Sequence, residues 1–425
     1  MRVVVVGAGI AGAVTALALS REGHEVHILE GAAEVARGAS HANAGLISPG
    51  HCFSWAEPGV MRMAVKAAIG LGDGIGICQP WRPSLIRWGL QFNRQSTHLR
   101  WLANSRAALA LSAYSRDVQF GADPISLDAY DGKHTGILYL YGANDAPGDH
   151  DAQLLSDAGE AFESLDSDRL LTREPALQLA TIRFDKATYS PNDGTGDAAR
   201  YAAAALTKAM TLGAQLHLSE PVHSFEQSGT RITAVRSNRN RYETDAVVIA
   251  TGLASRELLA GIGYDLPIQA VTGYSASYEG DFSCLPRVGA VSIPHKIAWT
   301  AFGENRVRFT GFADIGMPGH ARSAKRFDAL TRFAASVLPE VRKFEPYLWI
   351  GQRPMTPDNL PFLGQGRHAN LWLNCGHGAM GWTMSSGCAQ ILADLIGKRT
   401  PKIDLAPYRC DRFHSMQTGD QPHQE

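Results

Sequence analysis

An α/β fold built of two interleaved parts is predicted from three features of this 425-residue chain. First, "RVVVV" (2–6) is an apolar run of strand length that enters the glycine turn "GAGIAG", an alanine- and leucine-rich helix to about Arg21, and the strand "HEVHILE". That is a βαβ unit whose first strand reads as buried on both faces. Second, residues 270–313 alternate in the manner of sheet ("AVTGYSASY", "KIAWTAF", "RVRFTGF"). Third, "NLWLNCGHGAMGWTMSSGCAQILADLIG" (370–397) closes the chain as strand, glycine turn and helix, and no repeat or low-complexity linker divides the sequence. A chain of this length exceeds one compact core, so the two parts are expected to interleave.

The elements follow in order. Residues 84–120 carry helical spacing at Leu85, Trp88, Leu102 and Leu109, and "GILYLY" (136–141) is strand-like. "AARYAAAALTKAMTLG" (198–213) is a helix stopped by Gly213, with a strand at 214–218 and a hairpin across 222–236 after it. "DAVVIATG" (245–252) is a further apolar strand ending in small residues. "GQRPMTPDNLPFLG" (351–364) reads as a rigid turn around a lone cation, Arg353, because each proline fixes φ and removes a donor. The polar last dozen residues are expected to be disordered.

Composition narrows the function. Apolar content of 45% and charged content of 19% suit a globular enzyme, and a net charge of −1 argues against nucleic acid as a partner. The six cysteines are scattered without a CxxC pair, which suits a reduced compartment and gives no metal site. The first twenty residues resemble a secretion signal in hydrophobicity, but glycines interrupt them at nucleotide-fold spacing. No run of 18 uncharged apolar residues exists to span a bilayer.

Gly7, Gly9 and Gly12 form GxGxxG straight after a strand and at the opening of a helix, the Rossmann-like context that makes the motif specific. Gly7 permits the tight turn, Gly9 the approach of a pyrophosphate and Gly12 the packing of helix on strand, with Ile10 and Ala11 between them. The helix N-terminus then faces the diphosphate, and Glu30 at the end of the second strand is placed to accept from the adenosine ribose hydroxyls. GxGxxG alone does not separate NAD from FAD. The far-off glycine turn at 376–381 supplies a second helix N-terminus, and FAD is long enough to use both.

"RVVVVGAGIAG", "SHANAGLISPGH", "YSPNDGTGD", "TGYS", "GQRPMTPD" and "NLWLNCGHGAMGWTM" resemble, in this order and up to about residue 408, the D-amino acid oxidase-like flavoproteins, in particular their bacterial dehydrogenases. The resemblance implies an FAD-binding domain (1–50, 190–262 and 350–425) interleaved with a mainly antiparallel substrate domain (51–189 and 263–349). Beside the glycine loop and Glu30, it places Ser40, Ala42, Asn43, Ala44 and Gly45 in a loop beneath the flavin. It places Gly376, His377, Gly378, Ala379, Met380, Gly381, Trp382 and Thr383 at the C-terminal flavin turn, with Val222 and Gly252 as further cofactor contacts. Arg353 matches the arginine that holds a substrate carboxylate, and Tyr274 matches an active-site tyrosine or is a packing residue of the sheet. His377 is tempting as a base, but a structural role in the flavin turn is the stronger reading.

The implied reaction is oxidation of a D-amino acid by hydride transfer from Cα to flavin N5, giving a 2-oxo acid and ammonia. The segment "RVRFTGFAD" lacks the lysine that some oxygen-using relatives carry, and Gly351 and Gln352 stand where some relatives attach the flavin to cysteine. Non-covalent FAD and a dehydrogenase rather than an oxidase are expected, and the resemblance to quinone-linked dehydrogenases implies a quinone or other non-oxygen acceptor. The resemblance also implies a cytoplasmic protein with peripheral contact to the inner face of the cell membrane as an option. Residues 59–81 are either a membrane-docking flap or cap core. Oligomeric state is not encoded visibly. Alternative functions are oxidation of a secondary amine of the glycine, sarcosine or D-hydroxyproline type, and a non-catalytic FAD-bearing subunit.

Overall fold

The computed structural model of the chain describes residues 1–70, 72, 74–121, 124–142 and 149–413, so the polar C-terminal dozen expected to be disordered lies outside the described residues. Two large sheets organise it. The first has six strands in the order Phe362–Gln365, Leu371–Cys375, Ala246–Ile249, Arg2–Val6, Glu25–Leu29, Gln215–His217. All its pairs are parallel except the antiparallel edge strand 362–365. The "VVVV" run is its centre, and the two-residue period of a strand sends alternate valines to opposite cores. Val3 and Val5 meet the helices Ile10–Arg21, Ala198–Thr211 and Gly381–Ile396. Val4 and Val6 meet a small three-stranded sheet (222–228, 231–237, 241–243) and the segment around Leu259 and Leu266. The signal-like run is thus core strand and core helix.

The second sheet is mainly antiparallel. Its strands run in the order Tyr347–Met355, Gln269–Glu279, Arg306–Ile315, Ile297–Phe302, Gly289–Ser292, Ile137–Tyr141, Lys186–Ser190, Glu163–Asp166. Ile75–Ile77 joins the end of strand 306–315 in parallel. The helix His320–Val337 covers one face, packing Leu330 and Phe333 with Tyr274, Trp299 and Phe309. The opposite face, carrying Val271, Gly273, Ala298 and Thr310, lines a cavity between the two sheets.

Three expectations change. The helical stretch 84–120 is two helices, Pro83–Gln95 and His98–Gln119, broken at Ser96–Thr97. The segment around Arg353 is not a turn: Tyr347–Met355 is a nine-residue strand, paired residue for residue with Gln269–Ser277. Pro354 is tolerated there because this strand forms the sheet edge. The strand also runs across the expected domain boundary at 349/350. In the segment 59–81, the helix Val60–Ala68 buries only Val60 and Ala67. Val65, Ile69 and Trp81 are 60%, 66% and 72% exposed, so the helix is not cap core, whereas Ile75–Ile77 of the same segment joins the cap sheet.

Candidate active site

The glycine loop is a cradle that side chains would fill. A Cβ on Gly12 would lie 1.8 Å from the Gly7 carbonyl oxygen, and one on Gly7 2.7 Å from that of Ala250, with Gly7 itself at φ +102°. The close contact brings helix 10–21 against the strand ends and leaves its first amides facing the cavity. Ser40 reaches in from the next loop, its hydroxyl accepting from the Ile10 amide at 3.1 Å. The Glu30 carboxylate accepts from Ala8 N at 2.7 Å and Ala32 N at 2.8 Å while lining the same cavity. It therefore fixes the loop and still has lone pairs for a diol.

The loop after Ser40 is held from the other sheet. Arg308 donates to the Asn43 carbonyl at 3.1 Å and Thr300 to the Ala44 carbonyl at 2.9 Å, while the Asn43 side chain accepts from Gly45 N at 3.0 Å. Gly45 has φ +74°, and a Cβ there would strike the Phe302 ring at 2.6 Å. Arg306 and Arg308 are committed to Asp197, at 2.9 and 3.3 Å, rather than to the cavity.

The C-terminal turn joins the same wall. Thr383 Oγ1 accepts from Ser48 N at 3.1 Å, bracing the chain beneath the loop. His377 Nε2 pairs with Asn374 Oδ1 at 2.8 Å, and Asn374 donates to Thr15 Oγ1 at 2.8 Å, so His377 is tied to the first helix. Burial holds its imidazole down at about 4, neutral at physiological pH. That geometry fixes the ring within the turn. Gly378 lies beside Met355, whose backbone bridges His377, linking this turn to the Arg353 strand.

All the expected site residues line this one cavity except Gly12 and Gly376, which serve it from behind through packing. Its volume is about 1890 Å³, larger than the roughly 300–1000 Å³ of a single small-ligand pocket, so it has room for a long cofactor and a substrate together. Two helix starts, a glycine cradle and an acid at the second strand fit FAD.

Arg353 stands on the cavity wall without a carboxylate partner among the described residues. Its Nη1 donates to the Phe312 carbonyl at 3.0 Å, and its guanidinium lies over Gly273, where a Cβ would come within 2.6 Å of Nη2. The alternative partner, Asp358, is held by Arg412 through contacts of 2.7 and 3.0 Å. Burial lowers Arg353 to about 10, so the cation persists at neutral pH.

Tyr274 is fully buried, and its hydroxyl donates to Asp314 Oδ2 at 2.7 Å. Burial and that carboxylate push its pKa up. Its hydroxyl is thus committed inside the cap, which favours the packing alternative. Sequence reasoning missed His51 and Lys296, both on the cavity wall. His51 closes the quoted "SPGH" motif, but Lys296 comes from a turn outside the segment searched for a lysine. His51 is exposed to the cavity space, where enclosure by its walls and the Lys296 charge lower its pKa.

A parallel nucleotide sheet and an antiparallel cap that share a dinucleotide-length cavity define a flavoprotein oxidoreductase. The chain belongs to the DAO family of FAD-dependent oxidoreductases, whose model matches residues 2–395. It is 35% identical over 417 residues to D-amino acid dehydrogenase 2 of Mesorhizobium japonicum, covering 95% of this chain and 98% of that one. It is 33% identical to D-amino acid dehydrogenase of Sinorhizobium medicae, covering 97% and 100%. Among solved structures, glycine oxidase of Geobacillus kaustophilus shares the fold with a TM-score of 0.70 at 23% identity, over 97% of this chain and 99% of that one.

Proposed function

We propose that this enzyme oxidises D-amino acids to 2-oxo acids and ammonia with non-covalently bound FAD, passing electrons to a quinone or other non-oxygen acceptor. The observation that carries the reading is Arg353: a half-buried cation, without a carboxylate partner among the described residues, on the wall of the cofactor cavity. A planar guanidinium pairs with a carboxylate through two parallel hydrogen bonds, and fixing the carboxylate orients the Cα–H. The names of the two dehydrogenase relatives support the D-amino acid as substrate. When bound, the flavin supplies the hydride acceptor. The chain's own part is to clamp the carboxylate at Arg353 and to enclose it with Val271, Trp349 and Met355. No base is needed if the amine binds neutral. No cysteine lines the cavity among the described residues, in keeping with non-covalent FAD.

The same reading divides the chain into an FAD-binding and a substrate-binding domain, with strand 347–355 assigned to the cap. Peripheral contact with an anionic membrane surface is part of the same reading. The exposed Met61, Val65, Ile69 and Trp81 lie among the exposed cations Arg62, Lys66 and Arg82. No helix among the described residues is long and apolar enough to cross a membrane.

The deciding experiment is anaerobic mixing of the flavin-loaded protein with D- and L-amino acids, glycine, sarcosine and D-hydroxyproline. Bleaching by D-amino acids in preference to their L-forms is expected. Bleaching by the secondary amines or glycine alone moves the assignment to those substrates, and no bleaching by any amine overturns it.

A further inference from the structure

The fork of Arg353 is aimed by a backbone in an unusual conformation. Strand 306–315 pairs with strand 269–279 through Tyr274–Gly311 and then Thr272–Asp314, so Phe312 and Ala313 together oppose Gly273. This is a bulge, and Phe312 adopts φ +64° in it. Glycine is the usual occupant of a left-handed bulge position, and a bulky aromatic there is an outlier. Such a residue persists only where its surroundings over-determine it. Here they do. The Phe312 N–H donates to the Lys296 carbonyl at 3.2 Å, and the Arg326 guanidinium lies 4.8 Å from the Phe312 ring centroid. Arg326 and Tyr274 both bond Asp314, at 2.8 and 2.7 Å, and the Tyr274 ring stands edge-on to Phe312 at 6.4 Å.

The consequence falls on one atom. The bulge turns the Phe312 carbonyl toward Arg353 Nη1, at 3.0 Å, the one hydrogen bond of that guanidinium among the described residues. We propose that Phe312 is a positioning residue for the substrate carboxylate: its left-handed backbone, held by the Tyr274–Asp314–Arg326 network, presents the carbonyl that aims the Arg353 fork into the cavity. This rests on the reading of Arg353 as the carboxylate clamp. With φ returned to negative values the peptide rotates, the carbonyl leaves Nη1, and the fork loses its fixed direction.

The test compares Phe312→Val, which a β-branched side chain biases strongly against positive φ, with Phe312→Gly, which favours it. Both are made in the flavin-loaded enzyme and in an Arg353→Ala background. The readouts are KM and kcat for D-alanine and the dissociation constant of propionate, followed by the flavin spectrum. Phe312→Val is expected to raise KM and the propionate constant by about tenfold with a smaller change in kcat, while Phe312→Gly stays within about threefold of the parent. In the Arg353→Ala background Phe312→Val is expected to add less than about twofold, because its effect passes through the missing fork. Equal damage by glycine and valine, no effect of valine, or additivity with Arg353→Ala would each overturn the proposal. If Phe312→Val does not yield flavin-loaded protein, Phe312→Ala takes its place under the same criteria. Unchanged propionate binding in Arg353→Ala alone removes the clamp itself and this inference with it. Loss in Arg353→Ala with additivity removes only the inference.

Discussion

Arg353 shows how much one side chain can state. An arginine without a neighbouring cation was visible in the sequence as an anion site, because a guanidinium remains charged and offers a fixed fork. What the sequence could not show was that Asp358, five residues on, belongs to Arg412. Replacing Arg353 by alanine is expected to leave the flavin spectrum intact and to weaken carboxylate substrates by about a hundredfold, the order lost with a charge-assisted pair. Steady-state KM and the flavin absorbance measure the two effects separately. Gly273 gives a second check from across the strand pair. Its alanine variant puts a methyl 2.6 Å from Nη2, so KM is expected to rise about tenfold while FAD retention is unchanged.

At the scale of elements, legibility followed sequence distance. The βαβ unit and its glycines are local: turn, helix start and acid fall within thirty residues, and each glycine has a steric reason. Gly12→Ala is expected to lose FAD during gel filtration, since its methyl would overlap the Gly7 carbonyl 1.8 Å away. Strand 347–355 was illegible for the opposite reason. Its partner lies about eighty residues earlier, and two prolines nearby mimic turn chemistry, so only the pairing itself reveals a strand. The bulge at Phe312 breaks the residue preference that sequence reading depends on, and a phenylalanine there reads as ordinary sheet.

For the whole molecule, the contact between halves is electrostatic as well as apolar. Asp197 caps helix 198–211 through the amides of Ala199 and Arg200 and pairs with Arg306 and Arg308 of the cap sheet. Burial opposes its ionisation, but the two guanidinium groups and the helix amides outweigh it and hold its carboxyl below the usual value. Its contribution is therefore fully present above the unfolded value near about 4 and fades as the pH falls through the lower folded value. Asp197→Asn is expected to lower the thermal midpoint at pH 7, with a cost on the order of 3 kcal/mol from stranding Arg308. That difference from the parent should narrow as the scan is repeated below about pH 4.

The strand order also sets a timetable for the chain during synthesis. The first strand finds its neighbour on one side at once, in 25–29, but the other at 246–249, and the sheet is not complete until 371–375 has been made. At the usual 5–20 residues per second, the nascent glycine loop waits roughly 10–45 s with one flank of its central strand open. Its apolar valines are exposed for that time, and the cofactor cradle cannot close until nearly the whole polypeptide has left the ribosome.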